Sequence, residues 1–284
     1  MIIWIASYPK SGNTWLRSII SSLIYSNDGI FNFKLIKKIH QFPEKIHFKD
    51  LVKDFGSFDE IKRNWILAQD KINLNNKINF FKTHQGKYTV GRDSFTNDQN
   101  TKAVIYVVRD PRNVVMSLSN HYSMTIDESL EFMLSPSIIG NSKSYEESVK
   151  ENKASIYTLL GKWNEHYRSW TRKKGNLLLI KYEDLISDPL NELEKIISFL
   201  KNFVEFETNN KKNHNILETT SFENLKKMEN KNLFTEGVLN KHNKSKVNFF
   251  NLGPDNKWQN SLNSTIVNSL EKNFCDEMKE LKYL

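Results

Sequence analysis

The chain is poor in cysteine, proline and glycine, with one, six and ten of them in 284 residues. The single cysteine, Cys275, excludes a disulfide framework within the chain, a cysteine-rich zinc site and a paired redox motif. Such usage suits a reducing compartment. No apolar run approaches the roughly 20 residues that a membrane-spanning helix needs. With a mean hydropathy of −0.58, no transmembrane segment is expected. No group of His, Cys, Asp and Glu has the spacing of metal ligands, so no metal is expected. No repeat and no linker divides the sequence, and one domain over 1–284 is the expectation. A compact chain of this length buries roughly 75% of its unfolded surface, which needs no covalent staple.

Positive charge is abundant. Lys and Arg number 41 against 33 Asp and Glu, a net charge of +8 at pH 7. That excess suits nucleic acid, a membrane surface or a small phosphate-rich ligand, and composition does not choose among them.

Residues 1–6 read as a buried first strand that stops at Tyr8 and Pro9. The run is too short for a signal peptide and lacks its basic prelude. Trp15, Leu16, Ile19, Ile20, Leu23 and Ile24 then share one helix face. Residues 26–76 read as weak helices and loops, 78–82 as a strand, 85–102 as loop and 103–108 as a second buried strand. Asp110 before Pro111 predicts a helix start, with proline at its favoured first position. Thr125 and Glu128 have capping-box spacing. Ile156, Leu159, Leu160, Trp163, Tyr167 and Trp170 are spaced as one long amphipathic helix, and 177–180 reads as a third buried strand. Asp188 and Pro189 repeat the cap-then-proline start. Residues 202–215 read as a polar connector, Thr220 with Glu223 as another capping box, and 230–260 as a long surface excursion. Leu262 to Leu281 reads as one closing helix. Strands separated by helices predict an α/β fold with a parallel sheet covered on both faces.

The strongest local signal is Tyr8-Pro9-Lys10-Ser11-Gly12-Asn13-Thr14-Trp15, between the first strand and the first helix. A turn there points backbone N–H groups at one spot, where the helix dipole also favours negative charge. Gly12 lets the backbone approach an anion closely. Lys10 adds a point charge, and Ser11, Asn13 and Thr14 add donors. The chemistry is that of a cradle for phosphate or sulfate. It is not a Walker A loop, because the lysine precedes the glycine. An ordinary turn with a solvated lysine is the alternative on these residues alone.

This segment resembles the 5′-phosphosulfate loop of the sulfotransferases that use 3′-phosphoadenosine 5′-phosphosulfate (PAPS). The resemblance implies that Lys10 contacts the bridging oxygen between phosphate and sulfate, and that Trp15 stacks on adenine. Residues 104–117 are similar to the family's 3′-phosphate motif, with Arg109 at the end of a buried strand and Ser117 on the next helix. The spacing lets both reach one phosphate, and a guanidinium suits bidentate phosphate binding. Lys82-Thr83-His84 resembles the family segment whose histidine is the general base; an imidazole pKa near 6.5 suits that task. The resemblance gives Lys82 the sulfuryl oxygens. It also places Tyr182 near the adenine, and Thr220 and Phe222 on the nucleotide. In the closing loop Gly253 and Trp258 keep their places, but Asn251 and Leu252 stand where many members have an Arg-Lys pair. Lys241, Lys244 and Lys246 lie upstream as substitutes.

Order and spacing agree from residue 8 to residue 258, most like bacterial members with a single sulfotransferase domain. The resemblance implies a P-loop-type three-layer fold, with a central parallel β-sheet flanked by helices. It implies PAPS as co-substrate, without a metal. The reaction implied is in-line transfer of a sulfuryl group to a hydroxyl or amine on a small molecule, glycan or lipid. Segments 31–65, 85–102 and 121–148 are expected to face the acceptor, with Tyr122, Phe132, Met133 and Tyr145 as candidate lining. Two alternatives are a P-loop kinase with Asp110 on magnesium and a basic binding module for nucleic acid or sulfated glycans. The first has its lysine in the wrong place; the second lacks an arginine-rich cluster. No nucleic-acid partner is expected, and the location expected is cytoplasmic.

Overall fold

Five segments pair into one sheet: β1 (Ile2–Ala6), β2 (His40–Gln41), β3 (Asn79–Thr83), β4 (Thr101–Val108) and β5 (Leu177–Lys181). Their order is β2-β3-β1-β4-β5. The computed structural model describes residues 1–140, 156–172, 175–234, 238–239 and 246–284. Tyr145, Lys241, Lys244 and the side chain of Lys246 lie outside the described residues. β1 runs parallel to β3, with Ala6 opposite Thr83, and parallel to β4, with Ala6 opposite Tyr106. β2 joins β3, also parallel. Every residue of β1 is buried, as the central strand of a parallel sheet must be. β5 lies at the edge, so Leu177 to Leu179 are only half-buried rather than fully buried as expected.

Later strands add on both sides of β1, so the strand order reverses there. In the chain, β1 runs into Ser7, β3 into His84, β4 into Arg109 and β5 into Tyr182.

The chain divides into two compact units. The first comprises Met1–Tyr8, His40–Tyr106 and Pro136–Leu179. Its core is aromatic: Trp4 packs against Phe42, Phe81, Phe95 and Trp170 with ring centres 5.4 to 6.2 Å apart. Trp170 belongs to the helix Trp163–Thr171. The expected long helix from Ile156 begins instead as a strand, Thr158–Gly161, antiparallel to Ser137–Ile139. Gly161, at φ +68, separates strand from helix. The expected loop 85–102 contains a small hairpin, Thr89–Val90 against Asp93–Ser94.

The second unit comprises Pro9–Ile39, Val107–Ser135 and Ile180–Leu284. Phe31, Phe33, Ile36, Leu225, Phe234 and Phe250 form an apolar cluster in it. The Asp110 carboxylate accepts from the Arg112 N–H and Pro111 opens the helix Pro111–Tyr122. Asp188 likewise caps Pro189–Leu200, and the Thr125–Glu128 box forms. The fourth expected cap, at Thr220, is shifted by one residue. Ser221 caps Phe222–Asn230, while the Thr220 hydroxyl donates to the Ile216 carbonyl at 2.7 Å. Thr220 is the near-helical end (φ −97, ψ 6) of a helix, Asn210–Thr219, that lies partly within the expected connector. The closing helix is two, Ser264–Asn273 and Cys275–Glu280, broken at the buried Phe274. Among the described residues no helix is long and apolar enough to cross a membrane.

Candidate functional site

The loop after β1 is bent by two left-handed residues, Lys10 at φ +66 and Gly12 at φ +102. Gly12 starts the helix Asn13–Tyr25, its carbonyl accepting from Leu16 N–H at 3.1 Å. A Cβ on Gly12 would stand 2.6 Å from the Tyr182 ring. Glycine is therefore required both by the backbone angle and by the close approach. Ser11, Asn13 and Thr14 are buried, and Ser11 Oγ has no hydrogen-bond partner.

Arg109 gathers the second unit's polar groups. Its guanidinium stacks 4.1 Å from the centre of the Tyr182 ring. It donates to Ser117 Oγ at 3.2 Å and reaches the carbonyls of Lys10 and Gly253, each at 3.4 Å. Its Nε is buried without a partner. Trp15 meets Tyr182 edge-on at 5.6 Å. Gly253, at φ +56, lies flush on Phe222, where a Cβ would come within 2.3 Å of the ring. The expected residues Lys10, Gly12, Trp15, Arg109, Ser117, Tyr182, Phe222 and Gly253 thus form one connected set. Thr220 turns its hydroxyl into its own helix.

Lys10 Nζ lies 3.8 Å from the centre of the Phe249 ring and 3.5 Å from His121 Nδ1. Phe249 is anchored where its N–H and that of Phe250 donate to the two oxygens of buried Glu229, at 2.8 and 2.9 Å. Burial pushes the Tyr182 phenol up, opposed by the Arg109 charge. Asp110 is committed elsewhere. Its carboxylate accepts from Arg112 at 2.7 to 3.2 Å, and Arg112 also donates to Glu271 at 2.6 Å and stacks on Trp258. Asp110 is thus a structural clamp, which counts against a magnesium ligand and the kinase reading.

His84 and Lys82 belong to the first unit. His84 Nδ1 lies 2.9 Å from the Ser7 carbonyl. A carbonyl only accepts, so Nδ1 carries the proton and the neutral ring keeps its lone pair on Nε2. The His84 carbonyl accepts from His166 Nε2 at 3.0 Å. Burial lowers the pKa of His166 to about 4 and keeps it neutral.

Three further residues with notable polar contacts carry no strong sequence signal. Asn256 donates to Ser117 Oγ and the Asn113 carbonyl, both at 3.0 Å, and its Oδ1 is buried without a partner. Lys226 donates to the Asn251 carbonyl at 2.9 Å, placing a cation beside the loop that lacks the Arg-Lys pair. His166 could have been found, because it shares the apolar helix face of Trp163, Tyr167 and Trp170.

The orphaned Ser11 Oγ and Arg109 Nε, the two glycines without side chains and the nearby lysine fit an anionic ligand bearing several oxygens. A family model described as "Sulfotransferase domain" matches residues 2–282. The chain belongs to the sulfotransferase family. This sulfotransferase is 25% identical to mouse sulfotransferase 1 family member D1 over 280 residues, covering 98% of this chain and 83% of that protein. It is 25% identical to human sulfotransferase 2A1, over 98% of this chain and 84% of the other. Among solved structures, mouse sulfotransferase SULT7A1 complexed with PAP superposes with a TM-score of 0.57, at 19% identity, over 97% of this chain and 84% of that one. Retinol dehydratase in complex with retinol and PAP gives 0.58, at 17% identity, over 98% and 81%. These likenesses bear out the α/β fold with its central parallel sheet.

Proposed function

We propose that residues 1–284 act as a single domain that moves a sulfuryl group from PAPS to a hydroxyl or amine of a small molecule, glycan or lipid in the cytoplasm. One observation carries this reading: Ser117, Tyr182, Gly253 and the backbone of Lys10, from separate stretches of chain, converge on the Arg109 guanidinium. Relatives crystallised with PAP support the choice of nucleotide.

When bound, PAPS supplies the activated sulfate and a nucleotide bisphosphate as leaving group. Arg109, Ser117 and Asn256 hold the 3′-phosphate, with Lys226 supplying charge at the loop where Asn251 and Leu252 replace the basic pair. The loop Lys10 to Thr14 holds the 5′ end, and Trp15, Tyr182 and Phe222 enclose the base. The acceptor oxygen or nitrogen bonds to sulfur as the sulfur–oxygen bond to the 5′-phosphate breaks. The acceptor proton passes to His84 Nε2. Lys10 stabilises the charge left on the departing oxygen, and Lys82 polarises the sulfuryl oxygens. Donors aimed at developing charge and correct positioning supply most of the acceleration in such transfers.

Thermal unfolding with the nucleotide 3′,5′-bisphosphate, compared with ATP and magnesium, tests this. At 100 times its Kd the bisphosphate adds about 2.7 kcal/mol of stability. Stabilisation by ATP–magnesium alone would contradict it.

A further inference from the structure

We propose that His84 is aimed by a closed hydrogen-bond circuit through Tyr106 and His166, which makes both of them positioning residues for proton transfer. The proposal rests on the reading of His84 as the base. All of its members lie in the first unit.

The circuit starts at His84 Nδ1–H, which donates to the Ser7 carbonyl at 2.9 Å. The same peptide group carries the Tyr8 N–H, which donates to the Tyr106 hydroxyl oxygen. That hydroxyl is 2.8 Å from His166 Nδ1. His166 Nε2 is 3.0 Å from the His84 carbonyl and must carry the proton, since the carbonyl only accepts. A neutral His166 then has an accepting Nδ1, so Tyr106 donates to it. Every bond runs in the same sense, and the circuit returns to the residue on which it began. Tyr106 and His166 are buried, at 1% and 0% exposure.

Buried tyrosine and histidine pairs are commonly packing devices whose polar atoms merely need partners. This pair differs in where its bonds end. It fixes the backbone of His84 through one carbonyl, while the Ser7 carbonyl fixes the ring. Aligned hydrogen bonds in a dry interior polarise one another. When Nε2 accepts a proton, Nδ1–H becomes a stronger donor, and the whole circuit strengthens with it. The circuit therefore holds the tautomer that leaves Nε2 as the base, and holds the ring in place.

The test is Tyr106→Phe, which keeps the ring and removes the hydroxyl. We expect kcat to fall by about 10- to 10²-fold, with the Kd of the nucleotide bisphosphate unchanged. In a His84→Ala background the same change should cost less than about twofold, because coupled residues are not additive. Equal losses in both backgrounds would reduce Tyr106 to a structural role and overturn the proposal. Full activity of His84→Ala alone would instead remove His84 as the base. The circuit is then judged separately by long-range ¹H–¹⁵N NMR of the histidines in the wild-type protein. That spectrum should show His84 protonated at Nδ1 and His166 at Nε2. The opposite tautomer at either ring contradicts the circuit, whether or not the variant folds.

Discussion

Gly12→Ala probes the loop after β1 without touching a charge. Two penalties act on it. At φ +102 an alanine is strained, which costs about 1–2 kcal/mol. Its Cβ would also meet the Tyr182 ring at 2.6 Å. That ring carries the Arg109 guanidinium 4.1 Å from its centre and meets the Trp15 ring edge-on at 5.6 Å, so it yields poorly. Overpacking of this kind costs about 1–3 kcal/mol, which brings the sum to about 2–5 kcal/mol. Gly91→Ala separates the terms. Gly91 has φ +67 and nothing within 4 Å of the added carbon, so it bears the strain alone. Urea unfolding of the three proteins measures the difference. Gly12→Ala should be the less stable variant by about 1–3 kcal/mol and should bind the nucleotide bisphosphate more weakly. Equal stability of the two variants would refute the close packing of Gly12 on a Tyr182 ring held by Arg109 and Trp15.

Two further outcomes are expected. His84→Ala should lower turnover by about 10²–10⁴-fold, the range for losing a general base, and leave nucleotide binding nearly intact; unchanged turnover removes His84 from the mechanism. Burial holds the pKa of both His166 and His47 at about 4, below the ordinary 6.5. Between those values the unfolded chain binds more protons, so the stability due to neutral burial is complete above pH 6.5 and is lost as pH falls toward 4. The loss is on the order of 3 kcal/mol per histidine, and denaturant titrations at pH 7.5 and 4.5 that give equal stability would contradict it.

Much of this was legible because it is local. The Asp110–Pro111 and Asp188–Pro189 starts need only the cap and the ring that follows it, and both form as read. Residues 156–170 misled because three apolar positions fit either period, and only Gly161, with its left-handed backbone, marks where strand turns into helix. The helix Asn210–Thr219 has little apolar stripe to reveal it, with only Lys212 and Ile216 buried. Asn256 and Lys226 stayed hidden for another reason. Their partners, Ser117 and the Asn251 carbonyl, are set by tertiary structure, and polar residues in such surroundings look like any solvated surface. Lys10, Gly12 and Arg109 were readable because the anion binding proposed for them constrains residue type and spacing together.

The most direct measurement is calorimetric titration of wild type and Arg109→Ala with two ligands, the 3′,5′-bisphosphate nucleotide and the same nucleotide lacking its 3′-phosphate. If Arg109 is the 3′-phosphate ligand, the substitution weakens binding of the first by about 10- to 10²-fold, as for the loss of a charge-assisted hydrogen bond worth about 1.5–3 kcal/mol, and barely changes the second. Equal weakening of both ligands, or of neither, would contradict the assignment of this site.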